Sequence, residues 1–252
     1  MKEEVLRARS LVSAVSLVCV TAGATPAFAV AHGSDVPPGQ FGFAAKLTMT
    51  GIPRPNGTTY SSACSGSLVS PQWVLTSSHC FHDIKGNPVS GPSPYPTTVT
   101  VGRTDEADAA AGATRQVVRV VQATGSPAAL VQLDAPVTGV TPLVVRRTVP
   151  ALHEKLTLAG WGSTEKDAKA STKLQQGTVE VGTIGEKTLG VRGVAPSTMT
   201  SACRYDSGAP YFVGQELVSI ESSGPDCPHD KLETTVRADV LADWIGSQTT
   251  QP

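Results

Sequence analysis

Short runs of β-branched and apolar residues, each bounded by turn-forming residues, constrain this chain more than any other feature. Residues 43–49, 67–75 with a break at Pro71-Gln72, 97–102 and 115–121 have the make-up of strands. A loop rich in proline, glycine and serine at 86–96 interrupts them, and the same grain resumes at 155–159, 178–182, 188–194, 211–213 and 217–220. Only residues 239–246, with Val240, Leu241, Trp244 and Ile245 on one face, predict a helix. Gly 24 and Pro 19 in 252 residues, with few aromatics, suit many short strands joined by turns. Strands at this spacing with one terminal helix predict an all-β architecture of barrels or a sandwich. The length allows one large domain or two small ones, and a split near 134–141 allows two similar halves.

The N-terminus bears on compartment. Lys2, Arg7 and Arg9 precede an apolar run from Leu11 to about Ala22, and Ala27-Phe28-Ala29 supplies the small residues read by signal peptidase. The run is too short to span a bilayer comfortably and Pro26 breaks it, which favours a cleaved leader over residues 1–29 above a membrane anchor. Cys19 follows Val18, where a lipoprotein signal wants a small residue, so lipidation is not expected. The mature protein is therefore expected to be secreted, extracellular and free of the membrane. A net charge of -1 with 16% charged residues gives no electrostatic case for a nucleic-acid partner.

Beyond residue 29 four cysteines remain: Cys64, Cys80, Cys203 and Cys227. An even count in an exported chain reads as disulfides, with three pairings possible. The segment His79-Cys80-Phe81-His82-Asp83 contains metal-ligand residue types, but its spacing fits no standard zinc pattern. No metal is expected.

Chemistry concentrates at two places. In Cys64-Ser65-Gly66-Ser67-Leu68-Val69 and Trp73-Val74-Leu75-Thr76-Ser77-Ser78-His79-Cys80, a strand leads into a histidine whose neighbour can be tied back to Cys64. Such a tie would fix the backbone that a general base requires. In Cys203-Arg204-Tyr205-Asp206-Ser207-Gly208-Ala209-Pro210, a serine follows an aspartate in a tight Gly/Pro-framed turn, and Cys203 can reach Cys227.

These segments resemble the trypsin/chymotrypsin-like serine proteases. Thr76-Ser77-Ser78-His79-Cys80 is similar to the family's Thr-Ala-Ala-His-Cys, and Asp206-Ser207-Gly208-Ala209-Pro210 to its Gly-Asp-Ser-Gly-Gly-Pro. Gly160-Trp161-Gly162 and the closing Ala242-Asp243-Trp244-Ile245 match in type and order. The resemblance covers residues 30–247, leaving 248–252 as a tail. It implies two six-stranded antiparallel barrels packed together with a short C-terminal helix, and the pairs Cys64–Cys80 and Cys203–Cys227.

The resemblance also implies roles. Ser207 is the nucleophile and His79 its base, and the N–H groups of Tyr205 and Ser207 form the oxyanion hole. Cleavage after Ala29 leaves Val30-Ala31-His32-Gly33, similar to the family's Ile-Val-Gly-Gly start, whose free amine pairs with Asp206. Ser201, Ser219, Glu221 and Glu233 fall at the specificity pocket. The substrate is a protein or peptide, no cofactor is needed, and the chain is expected to act as a monomer.

Three departures bear on activity. Pro127 stands where the histidine-orienting aspartate belongs, and no Asp or Glu lies between Ala109 and Gln132. Tyr205 replaces a glycine. Glu221 and Glu233 occupy positions of small pocket residues, with Ser201 at the pocket base. The expectation is a secreted serine endopeptidase of weak or restricted activity; the alternative is an inactive pseudoprotease that binds a protein or peptide.

Overall fold

The structure, a computed structural model, describes residues 30–250, so the leader expected over residues 1–29 lies outside the described residues. Twelve long strands fall into two groups. β1 (Ala44–Pro53), β2 (Thr59–Ser70), β3 (Trp73–Ser77), β4 (Thr97–Val101), β5 (Ala113–Gln122) and β6 (Ala128–Leu133) form the first. β7 (Lys155–Gly160), β8 (Gln175–Ile184), β9 (Thr188–Ala195), β10 (Pro210–Val213), β11 (Glu216–Ser223) and β12 (Glu233–Arg237) form the second.

Each group closes on itself through antiparallel ladders. The first runs β5-β4-β1-β2-β3-β6 and returns to β5, and the second β8-β7-β10-β11-β12-β9 and returns to β8. These are the two six-stranded barrels expected from the sequence. Among the described residues, closure leaves no long edge strand unpaired.

β6 is not among the runs expected from the sequence: Ala128–Leu133 is buried at nearly every position and shows no alternation. Nor is β12, which contains Glu233 and begins only six residues after Cys227. The terminal helix α1 (Ala242–Thr249) follows a 3₁₀ turn over Asp239–Leu241 and passes the expected boundary at 247. Leu241, Ala242 and Ile245 face the core, whereas Val240, expected on the same face, points to solvent. Among the described residues no helix is long and apolar enough to cross a membrane.

The barrels meet along a shared apolar seam. Phe212 of β10 packs edge-on against Phe41 and Phe43 at centroid distances of 4.9 and 5.0 Å, joining the second barrel to the strand entering the first. Both disulfides, Cys64–Cys80 and Cys203–Cys227, are formed. Each contributes about 2–4 kcal/mol and ties down one of the loops facing this seam.

Candidate active site

β3 ends at Ser77 and turns directly into a single 3₁₀ turn, Ser78–Cys80, that presents His79. The turn is braced from behind by Gln122, whose amide group lies 3.1, 3.3 and 3.1 Å from the carbonyls of Ser78, Phe81 and Val89. Across the seam, the loop before β10 presents Ser207. His79 Nε2 and Ser207 Oγ are 2.8 Å apart, although 128 positions separate them in the chain.

Ser65 carries much of this alignment. Its N–H donates to Ser207 O at 3.0 Å, and its hydroxyl donates to Tyr205 O at 3.2 Å. The same hydroxyl accepts the N–H of Trp161 at 3.0 Å. Gly208, at φ +86°, packs so tightly on Ser65, Thr76 and Ser77 that a side chain there would overlap them. The sequence gives Ser65 no evident role, because these three partners lie 96 to 142 positions away. One hydroxyl of ordinary type gives no local signal.

Tyr205 adopts φ 77°, the left-handed region that the replaced glycine would enter freely. The strain, of order 1–3 kcal/mol, is held by the Ser65 bond and by Arg204, whose guanidinium sits 5.1 Å from the Tyr205 ring. Among the described residues neither the Tyr205 nor the Ser207 N–H donates to a protein acceptor. Both amides are thus free for an incoming oxygen.

Asp206 points the other way and is fully buried. Gly162 N–H and Cys203 N–H donate to it at 2.8 and 3.0 Å. A Cβ at Gly160 or Gly162 would overlap this carboxylate, which gives the Gly160-Trp161-Gly162 motif a physical reason. Burial pushes the Asp206 carboxyl well above the usual range, against the effect of those two bonds. Among the described residues no cation pairs with it. The Val30 side chain is completely buried in the second barrel, and Ala31 forms a two-way bridge with Ser201.

Among the described residues the His79 ring makes one hydrogen bond, to Ser207, and no ion pair. Pro127 lies beside the turn, its carbonyl accepting Ser78 N–H at 3.2 Å. Asp134 faces the outside of the first barrel and accepts Gln116 N–H. The residue is solvent-exposed at its rim, yet desolvation of the ring by the cleft, then the nearby charge of His82, holds its pKa below the ordinary value. At neutral pH the ring is therefore a free base.

Beside Ser207 opens a cavity of ≈ 320 Å³ lined by Ala202, Cys203, Arg204, Ser222, Glu221 and Glu233, among others. Glu221 and Glu233, which the sequence reading assigned to a specificity pocket, both line this cavity. Ser201 and Ser219 do not line the cavity. Ser222 and Ser223, at the register shift that follows Glu221 in the β11–β12 ladder, line the wall, while Ser219 is buried within β11. Ser201 lies behind the wall, where its Oγ is 3.4 Å from His229 N.

The family profile for trypsin matches residues 30–245. The chain belongs to the trypsin family. The trypsin of Saccharopolyspora erythraea is 27% identical over 65% of this chain and 76% of its own length. Suppressor of tumorigenicity 14 protein homolog of Bos taurus is 26% identical over 73% of the chain but only 25% of its own length. Transmembrane protease serine 7 of Rattus norvegicus is 30% identical over 72% of the chain and 23% of its own length. The chain thus spans about a quarter of these two mammalian relatives. Among solved structures, mouse neuropsin, a serine protease expressed in the limbic system, superposes with a TM-score of 0.70 at 20% identity. That superposition covers 87% of this chain and 99% of neuropsin. At that identity the likeness speaks for the trypsin fold alone.

Proposed function

We propose that the chain is an exported serine endopeptidase of low turnover, acting through Ser207 and His79. The single observation that carries this reading is the 2.8 Å contact between Nε2 and Oγ. As Ser207 Oγ bonds to a peptide carbonyl carbon, His79 takes its proton and the carbonyl electron pair moves onto oxygen. The free N–H groups of Tyr205 and Ser207 stabilise that oxygen. Collapse breaks the C–N bond, His79 protonates the leaving amine, and water repeats the sequence to release the acyl group.

The slow turnover follows from the other ring nitrogen. No carboxylate stabilises the imidazolium formed during attack or fixes the ring tautomer. Removal of residues 1–29 would free the Val30 amine to pair with Asp206, with no further activation step. Two disulfides support an oxidising, extracellular destination. A second reading, a pseudoprotease that binds a protein or peptide in the cleft, is favoured by Pro127 standing beside His79.

Hydrolysis of a fluorogenic peptide library by protein beginning at Val30 separates the two. Cleavage should be measurable, and its rate should rise with pH through a midpoint below about 6.5, because the lowered pKa leaves His79 a free base earlier. Ser207→Ala and His79→Ala should abolish it. Cleavage no faster than that of Ser207→Ala at every pH would leave the binding reading.

A further inference from the structure

Lys46 stands on β1 between Ala45 and Leu47, whose side chains enter the core of the first barrel. Alternation along the strand turns Lys46 to the outer face, where a lysine ordinarily reaches water. It is nevertheless only 6% exposed. Its Nζ donates to the carbonyl of Ser171 at 2.6 Å and pairs with Glu106 Oε1 at 2.8 Å. It also lies 5.5 Å from the centroid of the buried Trp161 ring. Taking an ammonium out of water is unfavourable unless its donors find partners, and these contacts supply them. Ser171 and Trp161 belong to the connection from β7 to β8, so an ammonium from the first barrel is committed to a loop of the second.

That loop closes on itself at a neck. Ser171 N–H donates to the carbonyls of Trp161 and Gly162 at 3.1 and 2.9 Å. The neck is where the loop meets the serine segment: Gly162 N–H donates to Asp206 at 2.8 Å and Ser163 N–H to Arg204 O at 2.7 Å. Those two acceptors flank Tyr205, whose own N–H is offered to the incoming oxygen on the peptidase reading. Ser65, the cross-strand partner of Lys46 in the β1–β2 ladder, holds the Trp161 end of the neck, and Lys46 holds the Ser171 end. Glu106 is itself fixed, its N–H donating to Thr172 O at 2.8 Å while Leu174 N–H donates to Thr104 O at 2.9 Å.

We propose that Lys46 is a positioning residue for the reaction, its ammonium keeping the 161–173 loop closed so that residues 204–206 hold the oxyanion amides in place. The effect on rate rests on the peptidase reading, but the clamp can be tested without turnover. A merely structural ion pair leads to a different pattern. The Glu106 side chain is 38% exposed, so removal of Lys46 leaves it to water and strands no buried charge. The melting temperature should therefore move little while the loop opens locally.

Amide exchange read by mass spectrometry on Lys46→Met, in protein beginning at Val30, tests the clamp. Peptides over 161–174 and 203–208 should exchange roughly ten- to a hundredfold faster than in the unaltered protein, the range for loss of one hydrogen bond to a charged group. Peptides from β3 and β6 of the first barrel should not change. With a fluorogenic peptide, kcat should fall by about tenfold or more with KM within about twofold, because the oxyanion amides act on the transition state. Glu106→Gln leaves the Ser171 bond and should shift both readouts the same way by less.

Unchanged exchange over 161–174 in folded Lys46→Met overturns the proposal. So does faster exchange there with 203–208 and kcat unmoved, the result a merely structural clamp gives. If Lys46→Met fails to fold, Glu106→Gln decides by exchange in the same two segments: faster exchange in both supports the clamp, and no change overturns it. Absence of hydrolysis by the unaltered protein, with the exchange pattern as expected, would sink the peptidase reading and leave the clamp standing.

Discussion

Replacing Pro127 by aspartate is expected to raise kcat by a factor of about 10²–10⁴, the range set by what loss of the orienting aspartate costs serine proteases. The position is right for it. Ser77 pairs with Ala128 across β3 and β6, and Ser78 N–H donates to the Pro127 carbonyl, so residue 127 lies directly beside the His79 turn. The bond uses the carbonyl, which aspartate retains. A carboxylate there stabilises the imidazolium, so the pKa of His79 rises from its lowered value and the midpoint of the pH–rate curve moves upward. Steady-state kinetics from pH 5 to 9 read both effects. Unchanged kcat with an unmoved midpoint, in folded protein, would show that the missing carboxylate is not what limits this site.

A second large effect is expected at the start of the mature chain. Protein beginning at Ala29, one residue early, should lose about 10²–10³ in kcat/KM relative to protein beginning at Val30. Asp206 is a completely buried carboxyl with no cation among the described residues, and leaving such a charge unpaired costs about 3–5 kcal/mol. On the proposed function the free amine of Val30 would supply that cation, and would do so only as the first residue. Pairing raises the amine's pKa above its usual 7.7–8.0, so the benefit is present below that range and disappears as pH rises through the raised value. Activity of the Val30 form should therefore fall on the alkaline side. Equal activity of the two forms would show that Asp206 needs no ammonium.

How much of this was legible in the sequence depended on how local each cause was. His79 and Ser207 stand in contiguous motifs next to cysteines, and the structure brings them to hydrogen-bonding distance. Tyr205 kept the backbone angle of a glycine, so its substitution was visible as a departure while its accommodation by Ser65 was not. β6 escaped detection because burial on both faces removes the alternation on which strand reading depends. Glu221 and Glu233 line the cavity beside Ser207 together with Ser222, whereas Ser219 is buried within β11, a difference between neighbouring strand positions that sequence pattern does not report.

Reaction of Val30-starting protein with a serine-phosphonylating reagent, followed by peptide mass spectrometry, tests the central claim most directly. Modification asks only for an activated Ser207 and a formed oxyanion hole, and is independent of substrate choice. The expected result is a single adduct on Ser207, forming faster as pH rises through a midpoint below about 6.5 and absent in His79→Ala. No adduct on Ser207 at any pH between 5 and 9, in protein with both disulfides formed, contradicts it.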